Sequence, residues 1–443
     1  MGRSRSLRSL AAWAALAAAL PAGAANVTTV ASSGDPDRPF EVDVTVRYAY
    51  TQRNGTITQE GPGSSGQVQN FFELSYRKVT SVAIGRLAVG LWHDLELHAE
   101  IPYFFADDVT WKYAAGVDDT NSGVYNNGID ANGLPSGTPG SNCPAALCPI
   151  FPVSAAGSTV YHGGLGDFMA GLAWGILSER RDDTKPTWVL GVDVTMPTAS
   201  RYDPTTASAH LDRSSRAPVG AKLWTFDVYT ALSRQIGPVD PYVKLHARLP
   251  LRTGSTYSNC DNAAALGAGI PPAPQMTHIA SANCADPSWQ PGAAAQPPTV
   301  VGMLLGAEFI PYEDRREQSR ISIDLRVGAD WVSGSRWYNE LTDATGKLLY
   351  GQGYFTVGAL LGLYVRASRL IEFQLVGTFA RDLDHALTGE PVGRTASSTD
   401  ASVVGTASQN PNFDFRYDVP GRRFSLTGSN VFGGAGSLIL RFY

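Results

Sequence analysis

Apolar and polar residues alternate along most of this chain. In "EVDVTVRYAY" (41–50), Val42, Val44, Val46, Tyr48 and Tyr50 interleave with Glu41, Asp43, Thr45, Arg47 and Ala49. Side chains on a strand point alternately to opposite faces, so one face here is apolar and the other mostly charged or polar. The pattern returns in "LELHAEIPYFF" (95–105), "DFMAGLAWGIL" (167–177), "TWVLGVDVTM" (187–196) and "WTFDVYTAL" (224–232). It returns again in "YVKLHARL" (242–249), "ISIDLRVGADW" (321–331) and "IEFQLVGTFA" (371–380). Helical spacing fits none of these segments and period two fits them all.

Extending the pattern predicts about twelve strands, near 40–51, 70–92, 94–107, 163–178, 186–198, 219–235, 240–253, 299–311, 319–333, 351–367, 369–383 and 430–443. Their joins alternate. The short ones fall at 93–94, 178–185, 235–240, 312–319 and 367–369; the long ones at 52–69, 108–162, 199–218, 254–298, 334–350 and 384–429. Long and short joins in alternation around an even strand count describe a membrane barrel with short periplasmic turns and long extracellular loops. A sheet in hydrocarbon must close, because each unpaired edge N–H or C=O costs several kcal/mol. The expected fold is therefore all-β: a single closed antiparallel transmembrane β-barrel of about twelve strands. A soluble β-sandwich is the competing reading, but sandwiches seldom carry so many charged positions on the inner face of long strands.

Aromatic residues lie near predicted strand ends, among them Trp92, Tyr103, Phe105, Trp111, Trp188, Trp224, Trp331, Trp337 and Tyr354, as interfacial girdles require. The chain closes on "SLILRFY", an alternating strand with a terminal aromatic, although Tyr443 is one register off from Leu438, Leu440 and Phe442. At the other end, Arg3, Arg5 and Arg8 precede a Leu/Ala run and the small residues Ala22, Gly23 and Ala24. That is a cleavable secretory leader over 1–24. Residues 25–39 are then a periplasmic N-terminal segment and 40–443 the barrel. The predicted location is the outer membrane of a Gram-negative bacterium. Outer-membrane lipid, the barrel-assembly machinery and a small-molecule solute are the expected partners.

Composition narrows the chemistry. The formal charge is −5 and no basic block occurs, so no nucleic-acid partner is expected. Four cysteines form two local pairs in Gly/Pro/Asn-rich stretches, Cys143 with Cys148 and Cys260 with Cys284, which read as two disulfide clasps in an exported chain. Spacing alone leaves the connectivity open, and zinc is a weak alternative because no CxxC is present. The Asp/Asn/Gly-rich run 116–133 misses the EF-hand spacing and reads as turns. Without a GxSxG or a Ser/His arrangement, no catalytic role, cofactor or metal is expected.

Candidate function lies with the polar face. The predicted lumen lining is Asp43, Arg47, Glu96, His98, Glu100, Asp167, Asp193, Asp227, Lys244, His246, Arg248, Glu308, Asp324, Arg326, Asp330, Arg366 and Glu372. Such groups either bias which solutes pass or satisfy one another and fill a narrow barrel. Three local features, "GGLGDFMAGLAW" (163–174), "LAVGLWHDLELHAEIPY" (87–103) and "VLGVDVTMPTAS" (189–200), resemble the outer-membrane family of phenol meta-pathway transporters. That resemblance implies a barrel for passive transport of small, hydrophobic or aromatic solutes. The alternative is a non-conducting structural barrel that presents extracellular loops for adhesion or for an envelope complex.

Overall fold

A computed structural model describes residues 25, 27–34, 39–63, 66–124, 128–130, 133–139, 141, 150, 157–261, 283–284, 286, 289, 294–314, 318–394, 401–404 and 406–443. The expected leader (1–24) and the expected Cys143–Cys148 clasp lie outside the described residues. Among the described residues one 15-stranded antiparallel sheet forms, in which three two-residue strands flank the twelve that make the barrel wall: β1 (Val42–Pro62), β2 (Val68–Trp92), β3 (Leu95–Tyr113), β4 (Phe168–Leu177), β5 (Thr187–Met196), β6 (Leu223–Ser233), β7 (Val239–Arg252), β8 (Val300–Asp314), β9 (Ser319–Val332), β10 (Tyr354–Arg366), β11 (Ile371–Asp382) and β12 (Phe424–Phe442). Each pairs with its neighbour in this series. β12 returns to β1 in the register Val42↔Phe442 and Arg47↔Ser437, which closes the barrel. Closure removes both sheet edges. No helix among the described residues is long and apolar enough to cross a membrane.

The apolar face of each strand points out. Leu325, Leu361 and Leu375 are 58%, 59% and 64% exposed; Leu325 stands opposite Leu361, and Leu375 opposite Leu363, the next outward residue of the same strand. A water-soluble protein would bury such a continuous band, whereas lipid solvates it. Trp92, Tyr103, Phe105, Trp188, Trp224, Trp331 and Phe355 join this outer surface. Trp111, Trp337 and Tyr354 do not: they turn inward, above the barrel's charged interior. At the C-terminus the outward aromatic of the last strand is Phe442, and Tyr443 lies beyond the strand under the Arg369 guanidinium. An arginine at the lipid-facing midplane of such a wall costs about 2–4 kcal/mol. Leu361→Arg is therefore expected to lower the temperature at which the barrel loses its heat-modifiable gel mobility, while the inward Leu360→Gln change perturbs packing without that depth dependence.

The strands lie where the alternation predicts them except along one wall. β1, β2, β3 and β12 run for 21, 25, 19 and 19 residues, against 10 to 15 for the other eight. The join predicted as a long loop at 52–69 is instead a tall hairpin with only 63–67 between its strands, and β12 begins at Phe424 rather than near 430. The β-branched run Thr56-Ile57-Thr58 carries β1 onward after a register shift between Asn54 and Thr56. The extra residue lies on β12, so β1 keeps its inward parity and only the character of the inward residues changes. Arg53 and the charged residues below it give way to Ile57, which packs with Leu74, Trp111, Phe424, Leu341 and Tyr417. The tall wall thus leaves the charged lumen and backs a small apolar core built with the extracellular loops.

Candidate functional site

The barrel interior has three levels. At the periplasmic end, the chain before β1 folds back into the mouth. Ala25 and Val27 pack on Ala231 and Tyr242. The Thr28 and Ser233 hydroxyls are 2.7 Å apart, Ala31 N donates to Glu96 Oε2 at 2.6 Å, and Asp94 N donates to Ser32 Oγ at 3.1 Å. Ser32 N donates to Glu41 Oε2 and His93 N to Ser33 O, both at 3.0 Å. Residues 27–33 therefore close part of the mouth with backbone and hydroxyl groups bonded to the inner wall.

The middle level is where the sequence-predicted lining comes together. Arg86 bridges Glu96 at 2.6 Å and Glu100 at 3.2 Å, and His98 sits 2.9 Å from both Glu96 and Asp193. Asp324 accepts from Tyr242 Oη at 2.6 Å, Tyr364 Oη at 2.9 Å and Arg326 Nε at 2.5 Å. Glu372 accepts from Arg366, Arg441 and Gln374, and Arg441 also reaches Asp43. Arg248 pairs with Asp227, Arg320 with Glu308, and His246 approaches Asp330 to 3.1 Å. Lys244 lies 4.0 Å above the Tyr229 ring, while Arg47 is buried with Nε and Nη2 unbonded. Asp167 stands apart from the others: its carboxylate accepts from Ala199 N at 2.8 Å and holds the loop after β5. Beside it, Gly164 takes φ +116°, the bend expected of that Gly-Leu-Gly-Asp entry.

These groups meet because the strand between them carries no side chain where they cross: Gly171 lies in register between His98 and Asp193, and Gly302 between His246 and Asp330. A Cβ on Gly171 would fall on Asp193 and His98, and one on Gly302 on Asp330 and His246. The result is a filled middle. Asp324 and Asp330 are 0% exposed, and Arg326 only 1%. A wall residue beside an aqueous pore keeps contact with water, so none runs past β9. Side chains on β5–β7 do keep such contact, with Asp193, Asp227 and Arg248 at 14%, 20% and 16%. Asp193, Asp227 and Arg248 are cross-strand neighbours and form a short polar seam there, while Arg366 and Asp43, at 19% and 15%, keep contact with water elsewhere in the wall. Several members of this level escaped sequence reading. Arg86, Arg320 and Arg441 are not in the predicted lining; Tyr229 and Tyr242 share the polar face of their strands in the sequence pattern, but that lining was drawn from charged residues and histidines alone.

The third level is a cavity of about 350 Å³ between this filled middle and the folded loops. β1, β2 and β3 contribute Arg53, Tyr76, Lys78 and Asp107; the loops contribute His162, Tyr202, Trp337, Tyr338, Glu340 and Asp343. Lys78 pairs with Asp107 at 2.7 Å, Arg53 with Glu340 at 2.8 Å, and His162 faces Asp343 at 3.4 Å. Tyr202 Oη donates to Asp343 at 2.7 Å. Burial, reinforced by the Asp343 charge, pushes the Tyr202 phenol well above its ordinary range, so this hydroxyl stays a donor at neutral pH. Opposite charges are matched, and aromatic rings supply the rest of the lining.

A cap of loops lies over the outer end of the barrel, beyond the cavity. The expected Cys260–Cys284 disulfide is present. From that clasped loop, Asn283 Nδ2 donates to Thr406 O and Gln409 O, and Asn259 Nδ2 to Leu348 O and Asn412 Oδ1. Arg336 is bonded to Glu390, and Lys347 Nζ donates to Asn412 O at 2.8 Å. Asp418 ties two turns of the last loop, accepting from Gly389, Glu390 and Asp414 backbone N–H groups. Burial, opposed by Lys347 and assisted by Glu390 and Asp414, raises its carboxyl from 3.8 to about 7. A raised carboxyl binds its proton more tightly folded than unfolded. Its contribution to cap stability is fully present below 3.8 and is lost as pH rises through about 7. Protection factors in residues 387–394 and 409–418, with the base-catalysed rise of intrinsic amide exchange divided out, are therefore expected to fall from pH 5 to pH 8, and Asp418→Asn to flatten that fall.

Among solved structures, the chain is similar to the COG4313 outer membrane channel from Pseudomonas putida F1, with 13% identity, 90% of this chain and 95% of that one covered, and a TM-score of 0.40. It is also similar to a TodX monoaromatic hydrocarbon channel deltaS2 mutant, with 8% identity, coverages of 100% and 96%, and a TM-score of 0.32. A Pseudomonas aeruginosa FadL homologue is similar at 10% identity, coverages of 91% and 90%, and a TM-score of 0.31. No protein-family model matches the chain, and no curated protein does. The classification rests on the closed strand pairing and the exposed apolar band. This is an outer-membrane β-barrel.

Proposed function

We propose that this barrel is an occluded passage for passive transport of small solutes. The observation that carries the reading is the 350 Å³ cavity, lined by rings and matched charges, set between the loop cap and the polar interior. A cavity of this size suits a ligand of about one ring. A solute entering through the cap rests there, moves along the β5–β7 seam and leaves past residues 27–33. The family resemblance of the sequence adds hydrophobic or aromatic solutes as the class. The filled middle favours one competing reading, a non-conducting barrel that holds up its folded loops as a platform. Liposomes carrying the purified full chain decide between them. Swelling with single-ring solutes but not with disaccharides is expected; no permeation of any solute, with the cap intact or proteolytically trimmed, supports the platform instead.

A further inference from the structure

Within the cavity every carboxylate is already engaged. Asp107 takes Lys78, Glu340 takes Arg53 Nη1, and Asp343 takes Tyr202 and faces His162. The donors are not all used. Arg53 is 6% exposed, and its Nε and Nη2 have no hydrogen-bond partner. Leaving such N–H groups buried and unmet is costly, more so on a charged group. Glu340 occupies the Nη1 end, so the open edge is the one on which the Nε and Nη2 N–H bonds run parallel. Two parallel donors match both oxygens of one carboxylate; a neutral carbonyl or hydroxyl meets only one of them. Glu340 cannot supply the second contact from the far end of the guanidinium. Both nitrogens are shielded in this structure, so a group in the cavity meets that edge once the Arg53 side chain turns toward it. Around it stand Tyr76, Trp337, Tyr338 and Tyr354, which suit a flat or apolar body.

We propose that this cavity is a binding site for a small organic carboxylate, held by the free Nε/Nη2 edge of Arg53 with its apolar body among the surrounding rings. The inference rests on the cavity being the barrel's solute site, and it names the head group that site selects. Binding is measured on the full chain in detergent by calorimetry, with benzoate as probe and benzamide and benzyl alcohol as its uncharged counterparts. Benzoate is expected to bind saturably, about tenfold or more tighter than either neutral probe. Arg53→Lys keeps a cation for Glu340 but loses the fork. It is expected to weaken benzoate about tenfold or more while leaving the neutral probes unchanged. Unaltered heat-modifiable mobility shows that the variant folds. Equal binding of all three probes, binding of none, or benzoate affinity unchanged in Arg53→Lys overturns the proposal. Benzoate binding without any flux in liposomes removes only the transport reading; flux without Arg53-dependent binding removes only this one.

Discussion

Asp324→Ala destabilises the barrel by about 3–5 kcal/mol, the cost of stranding a buried charge. Asp324 is the acceptor for Tyr242, Tyr364 and Arg326 together, and no water reaches it. Its removal leaves the Arg326 guanidinium without a counter-charge, and two phenol hydroxyls lose their acceptor. Replacing both partners with apolar residues of similar volume, Asp324→Leu with Arg326→Met, costs much less, because the desolvation penalty of both ions goes with them. The measurement is the midpoint of unfolding in detergent, followed by circular dichroism. Equal losses in the single and the double variant would mean that the knot acts by packing alone. The double variant also separates stability from selection: if the knot only fills space, liposome permeation by neutral solutes is unaltered by the swap.

Deleting residues 27–33 raises the fraction of open barrels by about 10²–10³-fold. That follows if four to five hydrogen bonds to the mouth contribute about 0.5–1.5 kcal/mol each and part of the gain is offset by ordering the segment. Single-channel recording in planar bilayers should show rare, brief openings for the full chain and sustained ones for the deletion. The converse variant holds the segment in place. Thr28 and Ser233 have their hydroxyls 2.7 Å apart, so cysteines at both positions are placed to bridge. The oxidised Thr28→Cys/Ser233→Cys barrel is expected to stay silent and to recover on reduction. Deletion without any change in opening would place the barrier entirely in the filled middle.

Much of the architecture was legible in the residues. The alternation in β1, β3, β5, β7, β9 and β11 set both the strand period and the face, because a wall with lipid outside and polar groups inside obeys one rule along its length. Short joins such as His93–Asp94 had only one workable reading, a tight turn between neighbouring strands, and both residues do adopt positive φ there. The rule failed where its physical cause stopped. Above the membrane the hairpin of β1 and β2 is no longer solvated by lipid, so Ile57 and Leu74 can face inward against loops, and period-two reading misplaced the strand ends. Tyr229 and Tyr242 fall on the polar face in the sequence pattern, yet a lining drawn from charged residues and histidines leaves them out. A phenol is apolar enough to suit the lipid face and polar enough to serve a buried carboxylate, and only its neighbours decide which.

By itself the sequence determined a closed twelve-strand wall, its orientation and the identity of most inward charges, since these depend on local alternation and join length. Which charge meets which, whether they leave a pore, and where the N-terminal segment and the loops come to rest were decided by tertiary structure alone. Those outcomes depend on contacts across the barrel, between residues such as Thr28 and Ser233 or Arg53 and Glu340 that are far apart in the chain. No local pattern encodes such distances; closure of the sheet creates them.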